Sequence, residues 1–164
     1  MIETIEFNGK LYPKFQASGN AARFVIPFAL EVCKGQGLDI GYGKLEWKFP
    51  DAIGIDFGGK HHAMNLPEFQ WDYIFSSHCL EHIKEPYYKV LNYWARYLRP
   101  EGTLFLYLPH PDQEYWWPIN DTKHLHVLWP EEILKYLHES QYWTKIFVSE
   151  RDLNHSFVAM AQKL

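Results

Sequence analysis

The chain has 164 residues, which is enough for one domain with a sizeable core and too few for two independent catalytic modules. Hydrophobic residues make up 47% and charged residues 22%, outside the polar, highly charged regime of disorder. Sixteen basic against 20 acidic side chains leave a net charge of −4, so no global positive field draws the chain onto nucleic acid or anionic lipid.

The N-terminus lacks the basic region, long apolar run and small-residue cleavage site of a secretory signal. Residues 14–33 predict a helical segment broken near Pro27, and residues 1–36 as a whole predict a covering segment ahead of the core. The most apolar stretch, residues 24–33, carries Pro27 and Glu31 and is too short to span a bilayer, so no membrane insertion is expected. Residues 37–41 and 52–57 are short apolar runs ending in glycine or acidic positions, the pattern of buried parallel strands. Residues 71–77 and 102–109 form two more, rich in aromatic and β-branched types. A helix opens at Pro86 between these last two and buries Tyr87, Val90, Leu91, Trp94 and Leu98 on one face. It stops at Arg99-Pro100-Glu101-Gly102, because proline cannot continue a helix and glycine permits the turn. Residues 109–129 form a loop of a length usually reserved for function, and Trp116, Trp117 and Trp129 lie in it. A second helix opens at Pro130, and strands over residues 144–149 and 156–162 close the chain. The expectation is a single α/β domain over residues 1–164, its core spanning residues 37–164. Cys33 and Cys79 are too few for a disulfide scaffold, which with the missing leader predicts a cytoplasmic protein.

The first chemical signal is Leu38-Asp39-Ile40-Gly41-Tyr42-Gly43, a strand ending in glycines that lets backbone approach a ligand. A dinucleotide fingerprint needs a glycine at position 46, where Glu46 stands. Asp39 would repel a pyrophosphate and suits an ammonium group, so the ligand indicated is amino-acid-like. Asp56 ends the next strand, where a carboxylate either accepts both hydroxyls of a ribose or decorates a surface turn.

Taken with residues 71–83 (WDYIFSSHCLEHI) and 98–110 (LRPEGTLFLYLPH), these segments resemble the class I S-adenosylmethionine-dependent methyltransferases. The resemblance is to the small branch in which a fourth strand runs into a Leu-Glu-His helix start and a Pro-Gly-Gly turn precedes the fifth. It implies a three-layer Rossmann-like fold with a mainly parallel sheet, strand order 3-2-1-4-5-7-6 and an antiparallel last strand. It implies S-adenosylmethionine as cofactor, with S-adenosylhomocysteine as product. Asp39, Gly41, Tyr42 and Gly43 would cradle its methionine end, Asp56 the ribose and Phe57 the adenine. His62 and Ala63 stand where many relatives have Asp-Ala near the adenine amino group, and Ser76, Ser77 and His78 would line the sulfonium region. Three departures stand out: Leu45 replaces the usual third glycine, Glu101 replaces one of the usual glycine pair, and only residues 42–51 remain for a shortened first helix. These departures keep open a degenerate methyltransferase-like binding protein without turnover.

A competing pattern is His78-Cys79-Leu80-Glu81-His82, which matches the H-x-x-E-H of inverted zinc proteases. That chemistry needs a third ligand and a fold built around the helix, whereas here the motif abuts a buried strand, so no metal site is expected and a zinc hydrolase ranks with an NAD-linked oxidoreductase among the weaker alternatives. If the acceptor needs a base, His110 and His78 are the candidates, each at the carboxyl end of a predicted strand, with His124 and His126 behind them. Tyr115, Trp116 and Trp117 would either roof an acceptor of small-molecule or saccharide type or plug the core beside the short first helix.

Overall fold

The computed structural model describes residues 3–14 and 20–164; residues 15–19 of the predicted N-terminal helical segment lie outside the described residues. The chain opens with a hairpin that the sequence reading did not anticipate, strands β1 (Thr4–Phe7) and β2 (Lys10–Pro13). Its two-residue turn is Asn8-Gly9, with φ of 50° and 73°, the pair that best tolerates the left-handed backbone of a tight hairpin. A 3-10 turn (Ala21–Phe24) and helix α1 (Ile26–Val32) follow, with Pro27 in the first turn of α1, where its missing N–H costs nothing.

The remaining strands form one six-stranded sheet: β3 (Gly37–Ile40), β4 (Ile53–Ile55), β5 (Trp71–Ser77), β6 (Leu98–Pro109), β7 (Trp143–Val148) and β8 (Ser156–Lys163). The spatial order is β4-β3-β5-β6-β8-β7. The pairs β3–β4, β3–β5 and β5–β6 are parallel, whereas β8 runs antiparallel to both β6 and β7. In the family's strand numbering this is 2-1-4-5-7-6, the expected order without its outermost third strand among the described residues. The reason is local. Residues 58–70 carry two glycines, Pro67 and few apolar side chains, and they form turns closed by a His62–Asn65 bridge. Leu66 alone is driven inward, and its N–H donates to Tyr93 Oη.

Helices α2 (Tyr87–Ala95) and α3 (Pro130–Glu139) cover one face, where Leu91, Trp94, Ile133 and Leu137 pack on Ile74, Leu104, Leu106 and Ala159. Helix α2 begins at Tyr87, directly after Pro86 as expected from the sequence, and not at the Leu-Glu-His of the family pattern. Leu80–His82 is a single 3-10 turn, because Pro86 admits a helix only after it. On the other face the first helix of the crossover shrinks to the 3-10 turn Leu45–Trp47, stopped by Pro50. Ala21, Val25, Ala29 and Cys33 fill the resulting gap over Phe49, Tyr73, Phe75, Phe105 and Tyr107. No described helix is long and apolar enough to cross a membrane.

Candidate active site

The carboxyl ends of β3, β4, β5 and β6 converge on one rim of the sheet, where open α/β sheets bind ligands. Gly41 follows β3 with φ 84°, and a Cβ there would lie 2.4 Å from Cys79 Cβ, so the turn requires glycine for conformation and for space. Gly43 has φ 70° and donates its N–H to Asp56 Oδ2 at 2.8 Å, while Asp56 Oδ1 accepts from the amide of Phe57 at 2.7 Å. The carboxylate at the end of β4 thus closes the glycine turn after β3. Tyr42 packs over Gly54, where any side chain would displace it.

Asp39 stands differently from the expectation of an ammonium ligand. It is 1% exposed, and its Oδ2 accepts the Phe49 N–H at 2.6 Å. Burial pushes the carboxyl up to about 7 against the opposing pull of the Phe49 amide and Lys48. The carboxyl thus anchors the short 45–49 turn under the rim. Leu45 is 74% exposed and is not among the nearest neighbours of Gly41 or Gly43. Phe57 is 99% exposed and packs on nothing. His62 is exposed, and the carbonyl of half-buried Ala63 accepts the Trp94 indole N–H at 2.7 Å.

At the end of β5, Ser76 is fully buried and donates to the Ile40 carbonyl, tying β5 to β3. Ser77 Oγ is buried without a hydrogen-bond partner. His78 takes φ 47°, and its Nε2 lies 2.9 Å from Ser156 Oγ. Burial, then the neighbouring His124 and His82, push its imidazole down to about 3, so it stays neutral and is a weak base. Ser156 owes its place to Asp152, whose Oδ1 accepts the amides of Asn154 and Ser156 and whose Oδ2 accepts the Tyr107 hydroxyl at 2.6 Å. The sequence reading missed these residues, although Asp-x-Asn-x-Ser is the composition of a side-chain-closed turn.

His110, after β6, sits in a polar knot. Its Nδ1 is 2.9 Å from Asp112 Oδ1, and the same oxygen lies 3.4 Å from His155 Nδ1. Arg151 Nε pairs with Asp112 Oδ2 at 2.8 Å. Beyond the knot, Trp117 donates its indole N–H to the Pro111 carbonyl at 2.7 Å. Trp116 stacks on His124 with ring centroids 4.9 Å apart, and Tyr115 meets Trp116 and Phe7 edge-on. The aromatic loop is thus both packed and held down by the hairpin, since Lys10 also pairs with Glu114 and Tyr12 Oη donates to the Asp112 carbonyl.

A shallow groove of about 430 Å³ lies elsewhere, lined by Glu68, Phe69, Gln70, Tyr93, Arg96 and Tyr97. It opens beside the entry to β5 and contains none of the rim residues.

The chain has the fold of the class I S-adenosylmethionine-dependent methyltransferases. Residues 32–106 match the family model described as a methyltransferase domain. Among solved structures the chain is similar to a SAM-dependent methyltransferase from Archaeoglobus fulgidus, at 17% identity over 92% of this chain and 98% of that one, with a TM-score of 0.64. It is similar to the 1,6-didemethyltoxoflavin-N1-methyltransferase of Burkholderia thailandensis, solved with its substrate and S-adenosylhomocysteine, at 16% identity over 92% and 81% with a TM-score of 0.65. It is also similar to the N-methyltransferase NodS of Bradyrhizobium japonicum with S-adenosyl-L-homocysteine, at 11% identity over 93% and 88% with a TM-score of 0.57. No curated protein sequence matches the chain.

Proposed function

We propose that this chain binds S-adenosylmethionine at the Gly41–Gly43 turn and transfers its methyl group to a small molecule. The observation that carries the reading is the positive-φ glycine turn closed by Asp56 at the rim. The turn suits close approach of a cofactor, because Gly41 and Gly43 add no side chain of their own at the rim and Asp56 is only partly buried. Phe57, exposed beside Asp56, is available to cover a flat base.

The cofactor, when bound, supplies a sulfonium-activated methyl group. The chain's task is positioning, which can lower a barrier by several kcal/mol when the acceptor is held in line with the methyl carbon. Ser77 ends β5 and His78 follows it at the rim between the glycine turn and the aromatic loop, where His78 is fixed by Ser156. His110, whose Nδ1 accepts the Asp112 N–H at 3.2 Å beside the Asp112 carboxylate, is the residue we assign to proton removal where an acceptor requires it. Trp116 and Trp117 form the wall against which a saccharide or a flat heterocycle would lie. The toxoflavin enzyme's heterocyclic substrate supports a small acceptor. The two free cysteines support a cytoplasmic site of action.

Titration calorimetry with S-adenosylhomocysteine tests the reading. Micromolar binding that Asp56→Ala weakens at least about tenfold, the equivalent of one lost hydrogen-bonded contact of ~1.4 kcal/mol, is the expected result. Absence of binding to the unaltered chain would identify a binding relative that has lost the cofactor, and tight binding of NADH instead would identify an oxidoreductase.

A further inference from the structure

Glu81 is the one feature of the rim that methyl transfer leaves unexplained. It is fully buried, and neither carboxylate oxygen has a hydrogen-bond partner elsewhere in the described residues. A buried carboxylate is retained only with compensation, from a cation or from a metal. Three histidines surround it, and one of them, His78, has Nδ1 3.9 Å from Glu81 Oε1 while its Nε2 is held by Ser156. His82 Nε2 lies 3.8 Å from Glu81 Oε1, and donor atoms of Glu81, His82 and His124 all fall within 4.8 Å of one another.

We propose that Glu81, His82 and His124 bind one divalent transition-metal ion, zinc being the best match, at the seam between the turn after β5 and the loop after β6. His82 Nδ1 sits 2.8 Å from the Lys123 carbonyl, which fixes the proton on Nδ1 and leaves Nε2 bare for a metal. An outer hydrogen bond of this kind orients histidine ligands in established metal sites. His124 is buried, with a ring nitrogen turned to the same point as the Glu81 and His82 donors. Trp116 stacked on its ring fixes the plane. The seam is already stitched, because the amides of Leu125 and His126 both donate to the Glu81 carbonyl.

Two imidazoles and one carboxylate form a donor set suited to zinc and unlike the all-oxygen shells of magnesium or calcium. Tetrahedral zinc with bonds of about 2.0–2.2 Å places its donors roughly 3.4 Å apart, so side-chain rotations of about 1 Å complete the site, with water in the fourth position. The ligand set differs from that of an inverted zinc protease. His78 is engaged by Ser156, Leu80–His82 is a 3-10 turn without the one-turn spacing of an α-helix, and Glu81 becomes a ligand rather than a base. The ion would pin the aromatic loop to the sheet.

The test uses the full chain, stripped with a chelator and titrated with zinc against a chromophoric competitor without any cofactor, so its outcome is independent of S-adenosylmethionine binding. One zinc per chain is expected, together with the visible absorption of four-coordinate cobalt on substitution. Glu81→Gln and His124→Gln should each weaken zinc by more than about 100-fold, the upper end of what loss of an outer-shell partner costs. His138→Gln, on an exposed part of α3, should change nothing. Circular dichroism checks folding of each variant. If a variant fails to fold, the zinc stoichiometry and cobalt spectrum of the unaltered chain decide. Failure of the unaltered chain to bind zinc, or binding that survives both substitutions, overturns the proposal.

Discussion

Asp39 offers a direct test of how burial, rather than ligand contact, governs the residue. Its carboxyl is raised from the ordinary 3.8 to about 7, mainly by burial. Above pH 3.8 the unfolded chain has released this proton while the folded chain keeps it up to about pH 7. The folded state therefore binds more protons, and stability falls as pH rises through that window. At about 1.4 kcal/mol per pH unit the full loss is on the order of 4 kcal/mol, of which roughly 2–3 kcal/mol falls between pH 5 and pH 8. Asp39→Asn removes the titration while its amide oxygen can still accept the Phe49 N–H. Urea unfolding of both proteins at pH 5, 6, 7 and 8 should show the variant gaining on the unaltered chain by about 2–3 kcal/mol across the series. A difference that stays constant with pH, or that shrinks as pH rises, would refute the reasoning and return Asp39 to a charged, solvent-coupled role.

Further outcomes follow from the packing. Gly41→Ala should lose at least about 2 kcal/mol, since the new Cβ meets Cys79 at φ 84°, and adding Cys79→Gly should restore the steric part; denaturant midpoints measure both. Trp94→Phe should cost about 2–3 kcal/mol through a cavity and an unpaired Ala63 carbonyl, and hydrogen exchange should quicken at residues 62–66. Burial pushes the Cys33 thiol up to about 12 and the Cys79 thiol higher still, so neither should react with an alkylating reagent at pH 8 until denaturant is added, as mass spectrometry would record.

The parallel strands were legible because apolar runs such as residues 71–77 are buried on both faces, and the glycines after β3 were legible because a left-handed turn admits little else. The side-chain roles around them were harder to read. Asp39 carries the family's acidic signature, yet a stunted turn leaves the Phe49 amide without an intrahelical partner, and the nearest carboxylate satisfies it. The opening hairpin was missed although Asn8-Gly9 announces it, since its flanking strands are only four residues each and alternate weakly. The partner of His78 is Ser156, and Arg151 and His155 join the Asp112 carboxylate beside His110; these residues stand about 40 to 80 positions further along, and sequence spacing carries no trace of such pairings.

The hairpin's hold on the aromatic loop also dictates an order of assembly. Lys10 meets Glu114 across 104 positions and Tyr12 meets the Asp112 carbonyl across 100. During synthesis the hairpin, closed by its own turn, must wait until β6 and the residues beyond it have emerged. The aromatic loop is therefore among the later parts to set, after the central strands on which it stands.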